Sequence, residues 1–189
     1  MTLTTPTMLT LARIVLVPVF VVAFFLPFDS VNVLCTALFG LAAVTDWLDG
    51  WLARRLGQTS AFGAFLDPVA DKLMVAAALV LLVESDPTPW IGVPAVVIIG
   101  REIAISALRE WMAQIGSRAT VAVSWIGKFK TFAQMAALML LLYREPLFGI
   151  PARECGIGLL VVAAVLTLWS MCVYLAAAWR AMKNNRHPA

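Results

Sequence analysis

Six apolar stretches, each close to the roughly 20 residues needed to cross about 30 Å of hydrocarbon, dominate this chain and restrict what it can fold into. They run over 9–28, 31–53, 61–83, 90–110, 119–143 and 155–179. With 62% hydrophobic and only 13% charged residues among 189, the sequence predicts an integral membrane protein. The expected fold is all-α: one bundle of six transmembrane helices forming a single domain over 1–189, with little room for a soluble domain. The first stretch, "MLTLARIVLVPVFVVAFFLPF", is longer than the usual h-region of about 7–15 residues and has no small-residue cleavage site after it, so it reads as a retained span.

The connections between stretches carry ordinary turn chemistry, such as "LPFDS", "RRLGQTS" and "DPTP". Because they are short, sequential helices are expected to pack as antiparallel neighbours. Lys and Arg accumulate in short cytoplasmic loops, which orients the bundle. With the N-terminus inside, all 14 except Arg144 and Arg153 fall on the cytoplasmic side, so both termini are expected there. The basic balance is thus a topology signal, with no reason to invoke nucleic acid. Cys35, Cys155 and Cys172 are too scattered for a paired ligand motif, and the one histidine, His187, lies in the polar tail. Neither a His metal site nor a His-based triad is available.

Against this apolar background, "AVTDWLDGWLARRLGQTSAFGAFLDPVADKLM" places four aspartates within residues 43–74. Asp46 and Asp49 are spaced i,i+3, and Asp67 and Asp71 i,i+4, so each pair shares one helix face. At about 1.5 Å per residue, counting back from Arg54 puts the first pair roughly 8 to 12 Å in, and counting forward from Ser60 puts the second roughly 10 to 16 Å in. The pairs are therefore expected at one level, facing each other across a hairpin just inside the cytoplasmic boundary. Four like charges there repel one another and are poorly solvated. Two divalent cations balance them, and hard carboxylate oxygens suit Mg²⁺ or Mn²⁺, above all where a phosphate completes the shell. That combination points to two-metal phosphate chemistry. Gly50, Ala53 and Gly63 are small where helix propensity alone gives glycine no place, which leaves room for a ligand. Arg54 offers a fork of donors for a phosphate.

Two plainer readings compete. The aspartates can face water at a loop or pair with Lys72, Arg54 and Arg55, but four carboxylates on two facing helices exceed what a helix end needs. They can also mark a transport route, but such a route needs ionisable groups near the midplane and beyond it, whereas these crowd the cytoplasmic half. A non-catalytic lipid-binding scaffold has no use for the carboxylates together with Gly50, Gly63 and Arg54.

The residues Asp46-x2-Asp49-Gly50-x2-Ala53-Arg54-x8-Gly63-x3-Asp67-x3-Asp71 resemble the full signature of the CDP-alcohol phosphotransferase family. The resemblance implies a six-helix membrane fold, usually homodimeric, that moves a phosphatidyl group from CDP-diacylglycerol to an alcohol and releases CMP. It further implies that Asp46, Asp49, Asp67 and Asp71 hold two Mg²⁺ or Mn²⁺ ions, that Asp71 is the general base, and that Gly50, Ala53, Arg54 and Gly63 line the donor pocket. Spacing alone does not choose between Asp67 and Asp71 as the base. "PTMLTLAR", "FGAFLDPVADK", "GREIAISALREWMA" and "VAVSWIGKFKT" extend the likeness to bacterial members that use sn-glycerol 3-phosphate as acceptor, and with them to the bacterial inner membrane. Thr7 departs from the Asn that many of those members carry. Siblings using serine, inositol phosphate or phosphatidylglycerol are the alternatives.

An anionic acceptor calls for a cationic pocket facing the cytoplasm. Arg101, Arg109, Lys128 and Lys130 are the candidates, each of which also reads as a positive-inside anchor. Arg101 and Lys130 are preferred because both lie beside polar residues within otherwise apolar helices. Glu102 and Glu110 are candidates to orient Arg101 or Arg109.

Overall fold

The computed structural model describes residues 5–56, 61–114, 125–146 and 149–185. Among these it has six helices and no strand: α1 (Thr5–Phe24), α2 (Val31–Leu56), α3 (Ala61–Ser85), α4 (Pro89–Gln114), α5 (Trp125–Tyr143) and α6 (Ala152–Asn185). Each helix matches one of the six apolar stretches in order, and several extend past it by a turn or more.

Local chemistry sets the helix ends. Pro89 occupies the first position of α4, where its missing N–H costs nothing, and the carbonyl of Thr88 accepts the amides of Ile91 and Gly92 at 3.1 and 2.9 Å. Arg144, directly after α5, has a φ of 64° and its amide reaches back to the Leu140 carbonyl at 3.1 Å, the left-handed stop common at helix C-termini. Pro18, Pro68 and Pro94 sit inside helices. Helices packed among neighbours in lipid tolerate such breaks in the hydrogen-bond ladder.

The packing departs from a simple run of hairpins. Helix α1 lies along both α2 and α3, which touch each other only sparingly, and α6 lies along both α4 and α5. Among the described residues α4 does not pack against α5 at all. Residues 115–124 stand between these two helices, a connection long enough to relieve them of having to be neighbours. The chain therefore forms two three-helix layers, α1–α3 and α4–α6, joined where α2 and α3 meet α5 and α3 meets α4.

The two ends of the bundle differ in character. Phe20, Phe39, Leu79, Leu82, Ile98 and Leu138 are among the fully buried apolar side chains, and all lie in the half that contains the α1–α2 and α3–α4 turns. The other half contains Thr10, Arg13, Asp49 and Lys130, all buried. A dry core thus closes one end while polar groups occupy the interior of the other. On the outside the pattern inverts, since Val15, Val22, Val96, Ile103, Val165 and Trp169 are exposed. Apolar exposure on this scale marks an interaction surface rather than a water-facing one. Among the described residues two helical segments, Pro89–Gln114 and Ala152–Trp179, are long and apolar enough to cross a membrane. Shorter apolar segments lie at Met8–Phe24, Val31–Asp46 and Phe129–Tyr143.

Candidate active site

Because α1 runs between α2 and α3, the two aspartate pairs meet side chains of α1 and not merely each other. Arg13 Nη1 donates to Asp46 Oδ1 at 3.0 Å and to Asp71 Oδ1 at 2.5 Å, and Nη2 donates to Asp49 Oδ2. Three carboxylates from two helices therefore converge on one guanidinium. The fourth, Asp67, accepts the hydroxyl of Thr10 at 2.5 Å, one turn before Arg13 on the same face of α1. All four aspartates are thus brought to one level, as the depth count requires.

The cluster has a floor and a mouth. The side chains of Arg13 and Asp49 are only 1% and 4% exposed, whereas those of Asp46 and Asp71 are 47% and 45% exposed. Asp46 and Asp71 form the open side of the cluster. Arg13 brings one positive charge to three carboxylates, and the half-exposed Asp46 and Asp71 give the cluster an acidic opening that suits a cation. Among the described residues no three acidic, histidine or cysteine side chains form a ready nest for one ion as placed, since the carboxylates are arranged about the guanidinium. Their chemistry nonetheless fits a hard divalent cation: they are all oxygen donors, and Asp46 and Asp71 already share one cationic nitrogen.

Two of the three cations that could pair with the aspartates, Lys72 and Arg55, have other partners. Lys72 donates to Ser106 Oγ on α4, and the Arg55 guanidinium stacks 4.9 Å from the centre of the Trp51 ring. Gly63 is buried near the start of α3. The side chains of Gly50, Ala53, Arg54 and Lys128 lie outside the described residues.

A second, basic cluster occupies the same end of the bundle in the α4–α6 layer. Arg101 Nη1 bonds Glu102 Oε1 at 2.5 Å, so Glu102 is the residue that orients it, and Nη2 reaches Ser170 Oγ on α6 at 3.4 Å. The Arg109 guanidinium lies 5.4 Å from the centre of the Tyr174 ring, a cation–π contact that holds α4 to α6. Lys130 on α5 is buried within electrostatic reach of Arg101, Glu102 and Arg109. Glu102 offsets one of the three cations, and the positive charge left over favours a further anion joining them. The link between the two clusters is Lys72. It follows Asp71 directly, and its partner Ser106 in turn donates to the Glu102 carbonyl at 2.6 Å.

Arg13, Thr10, Ser106 and Ser170 complete these clusters; Thr10 and Arg13 lie within "PTMLTLAR" and Ser106 within "GREIAISALREWMA", yet the sequence alone gives none of the four a role in the site. Arg13 did carry a signal, being the only charged residue before Asp29 and set within "LTLARIVLVPVF". A charge so placed within a span needs a partner there.

The family model described as CDP-alcohol phosphatidyltransferase matches residues 3–182. Among curated proteins, one from Sodalis glossinidius is 61% identical over 180 residues, covering 94% of this chain and 96% of its own. One from Pectobacterium atrosepticum is 60% identical over 173 residues, covering 92% and 93%, and one from Haemophilus influenzae is 54% identical over 180 residues, covering 95% and 96%. All three are named CDP-diacylglycerol–glycerol-3-phosphate 3-phosphatidyltransferase.

Proposed function

The chain belongs to the CDP-alcohol phosphatidyltransferase family, and from that premise we infer that it transfers the phosphatidyl group of CDP-diacylglycerol to sn-glycerol 3-phosphate, giving phosphatidylglycerophosphate and CMP. The observation that carries this reading is the juxtaposition of an acidic cluster, half open to ligand, with a basic cluster at the same end of the bundle.

Asp46, Asp49, Asp67 and Asp71 are the residues that would hold two divalent cations, Mg²⁺ or Mn²⁺. When bound, such ions stabilise charge on the attacking and leaving oxygens of an in-line displacement. Gly50, Ala53, Arg54 and Gly63 line the pocket for the cytidine diphosphate moiety of the donor. Arg101, Arg109, Lys128 and Lys130 receive the phosphate of the acceptor, with Ser170 adding a hydroxyl beside Arg101. Asp71 takes the proton from the acceptor hydroxyl, whose oxygen then forms a bond to the phosphorus nearer the lipid. The bond from that phosphorus to the bridging oxygen breaks, and CMP leaves with the electron pair. Asp71 suits this role because it stands at the mouth, next to the Lys72 link toward the basic cluster.

The six helices span the bacterial inner membrane with both termini and the reaction site on the cytoplasmic side, and the enzyme acts as a homodimer. The apolar exterior and the distribution of Lys and Arg support the placement. The test offers the purified protein CDP-diacylglycerol with radiolabelled sn-glycerol 3-phosphate, serine, inositol phosphate or phosphatidylglycerol, one at a time. Label should appear in a new lipid product only from sn-glycerol 3-phosphate; preferential use of another acceptor overturns the assignment.

A further inference from the structure

Resting on the reading of a divalent-cation site at the four aspartates, we propose that Arg13 is the resident counter-ion of the metal-free site and that cation loading displaces its guanidinium. The oxygens it holds are those a metal would need: Asp46 Oδ1, Asp71 Oδ1 and Asp49 Oδ2, from two helices. A guanidinium and a divalent cation bound to the same oxygens repel each other strongly in an interior that screens charge poorly. One must yield.

The burial of Arg13 explains why the site needs such an occupant. Without it, the carboxylates of Asp46 and Asp49 on α2 and of Asp71 on α3 lose the positive charge that lies between them, across helices that hardly touch. With it, α1 ties both helices to one group, and the pocket is assembled before metal arrives. The arrangement is also incomplete in a telling way. Arg13 Nε is buried without a hydrogen-bond partner, although the side chain is almost wholly enclosed. Its guanidinium satisfies the carboxylates while leaving one of its own donors unmet, so this position is a poor resting place once a stronger cation takes the oxygens.

A purely structural arginine and a displaceable counter-ion differ in sign. If Arg13 only holds the helices together, removing it loosens the site and weakens metal binding. If it competes, removing it tightens metal binding even as the metal-free protein loses stability.

The experiment measures Mn²⁺ binding by electron paramagnetic resonance on full-length protein in detergent micelles, without donor or acceptor, for wild type, R13Q and R13K. Melting temperatures are taken in EDTA and in saturating Mn²⁺. R13Q should bind Mn²⁺ about tenfold more tightly or better, the loss of one like charge at close range. It should also melt lower than wild type in EDTA, with the gap narrowing in Mn²⁺. R13K, whose point charge cannot span three carboxylates, should fall between the two, and it decides the matter alone if R13Q does not fold. Unchanged or weaker Mn²⁺ binding in the folded variants overturns the proposal. D71N separates the two levels of inference. Wild-type binding that is absent, or indifferent to D71N, removes the metal site itself, whereas D71N-sensitive binding that R13Q fails to tighten removes only the role of Arg13.

Discussion

Thr10 on α1 donates its hydroxyl to Asp67 Oδ1 on α3 at 2.5 Å, 57 residues away in sequence. A hydrogen bond to a charged group contributes about 1.5–3 kcal/mol, so Thr10→Val should lower kcat/KM for CMP release by about 10- to 100-fold. Thr10→Ser keeps the hydroxyl and should recover most of the loss. Equal activity in Thr10→Val and wild type would mean that this bond does not position Asp67 for the reaction.

Three carboxylates on the Arg13 guanidinium and a fourth on the Thr10 hydroxyl give the site an acidic mouth. Phosphoryl chemistry beside that charge needs cations to bring the donor diphosphate in. Dialysis against EDTA should stop CMP release, and Mg²⁺ or Mn²⁺ should restore it. Turnover that persists through chelation rules out the two-metal reading.

Features confined to one stretch of chain were legible in the sequence. Apolar length marks the six helices, and the i,i+3 and i,i+4 spacing puts each aspartate pair on one face, because both depend only on helix geometry. What depends on which helices touch was not legible. Read along the chain, Arg13 is one more cytoplasmic-side charge; in the folded protein it bonds aspartates 33, 36 and 58 residues away. The expected α2–α3 hairpin contact is largely replaced by α1, which lies against both helices. Turn residues indicate that the chain reverses but not which helix fills the groove behind it. Glu102 as the partner of Arg101 was within reach of the sequence, being adjacent, while Ser170 on α6 was not.

On the proposed reading the basic cluster binds the acceptor apart from the groups that carry the chemistry. Arg101 and Lys130 lie on different helices from the aspartates, so losing either charge should leave the reacting groups in place. Arg101→Ala and Lys130→Ala should each raise the KM for sn-glycerol 3-phosphate about tenfold or more, the scale of one charge-assisted bond, with the smaller change in kcat. Kinetics at saturating CDP-diacylglycerol check this. An effect seen only in the KM for CDP-diacylglycerol moves these residues to the donor pocket.

Gly156 sets how closely α5 and α6 approach. A Cβ there meets Leu141 Cγ at 2.8 Å and Leu140 Cβ at 3.3 Å, whereas one at Gly158 meets nothing within 4 Å. Forcing extra volume into a packed contact costs about 1–3 kcal/mol, and Ala is otherwise the better helix former. Gly156→Ala should therefore lower the melting temperature in micelles, and Gly158→Ala should hold or raise it. Identical melting in the two variants contradicts the close α5–α6 packing.

Asp71 and Asp67 share one face of α3, yet their surroundings differ. Asp67 accepts the Thr10 hydroxyl, which fixes its carboxylate against α1. Asp71 is held at one oxygen by Arg13 and stands 45% exposed at the mouth, with Lys72 beside it bonded toward the basic cluster. A base must reach the proton it takes, and on the proposed reading the acceptor approaches from that side. Asp71→Asn keeps the shape and one oxygen donor but cannot accept a proton at working pH. Its kcat should fall by about 10²- to 10⁴-fold, the usual contribution of a positioned base. Asp67→Asn, which retains its place against Thr10, should show its loss chiefly as a higher Mn²⁺ requirement. Near wild-type turnover in Asp71→Asn at saturating Mn²⁺ would take the role of base from Asp71, and a large kcat loss in Asp67→Asn alone would transfer it there.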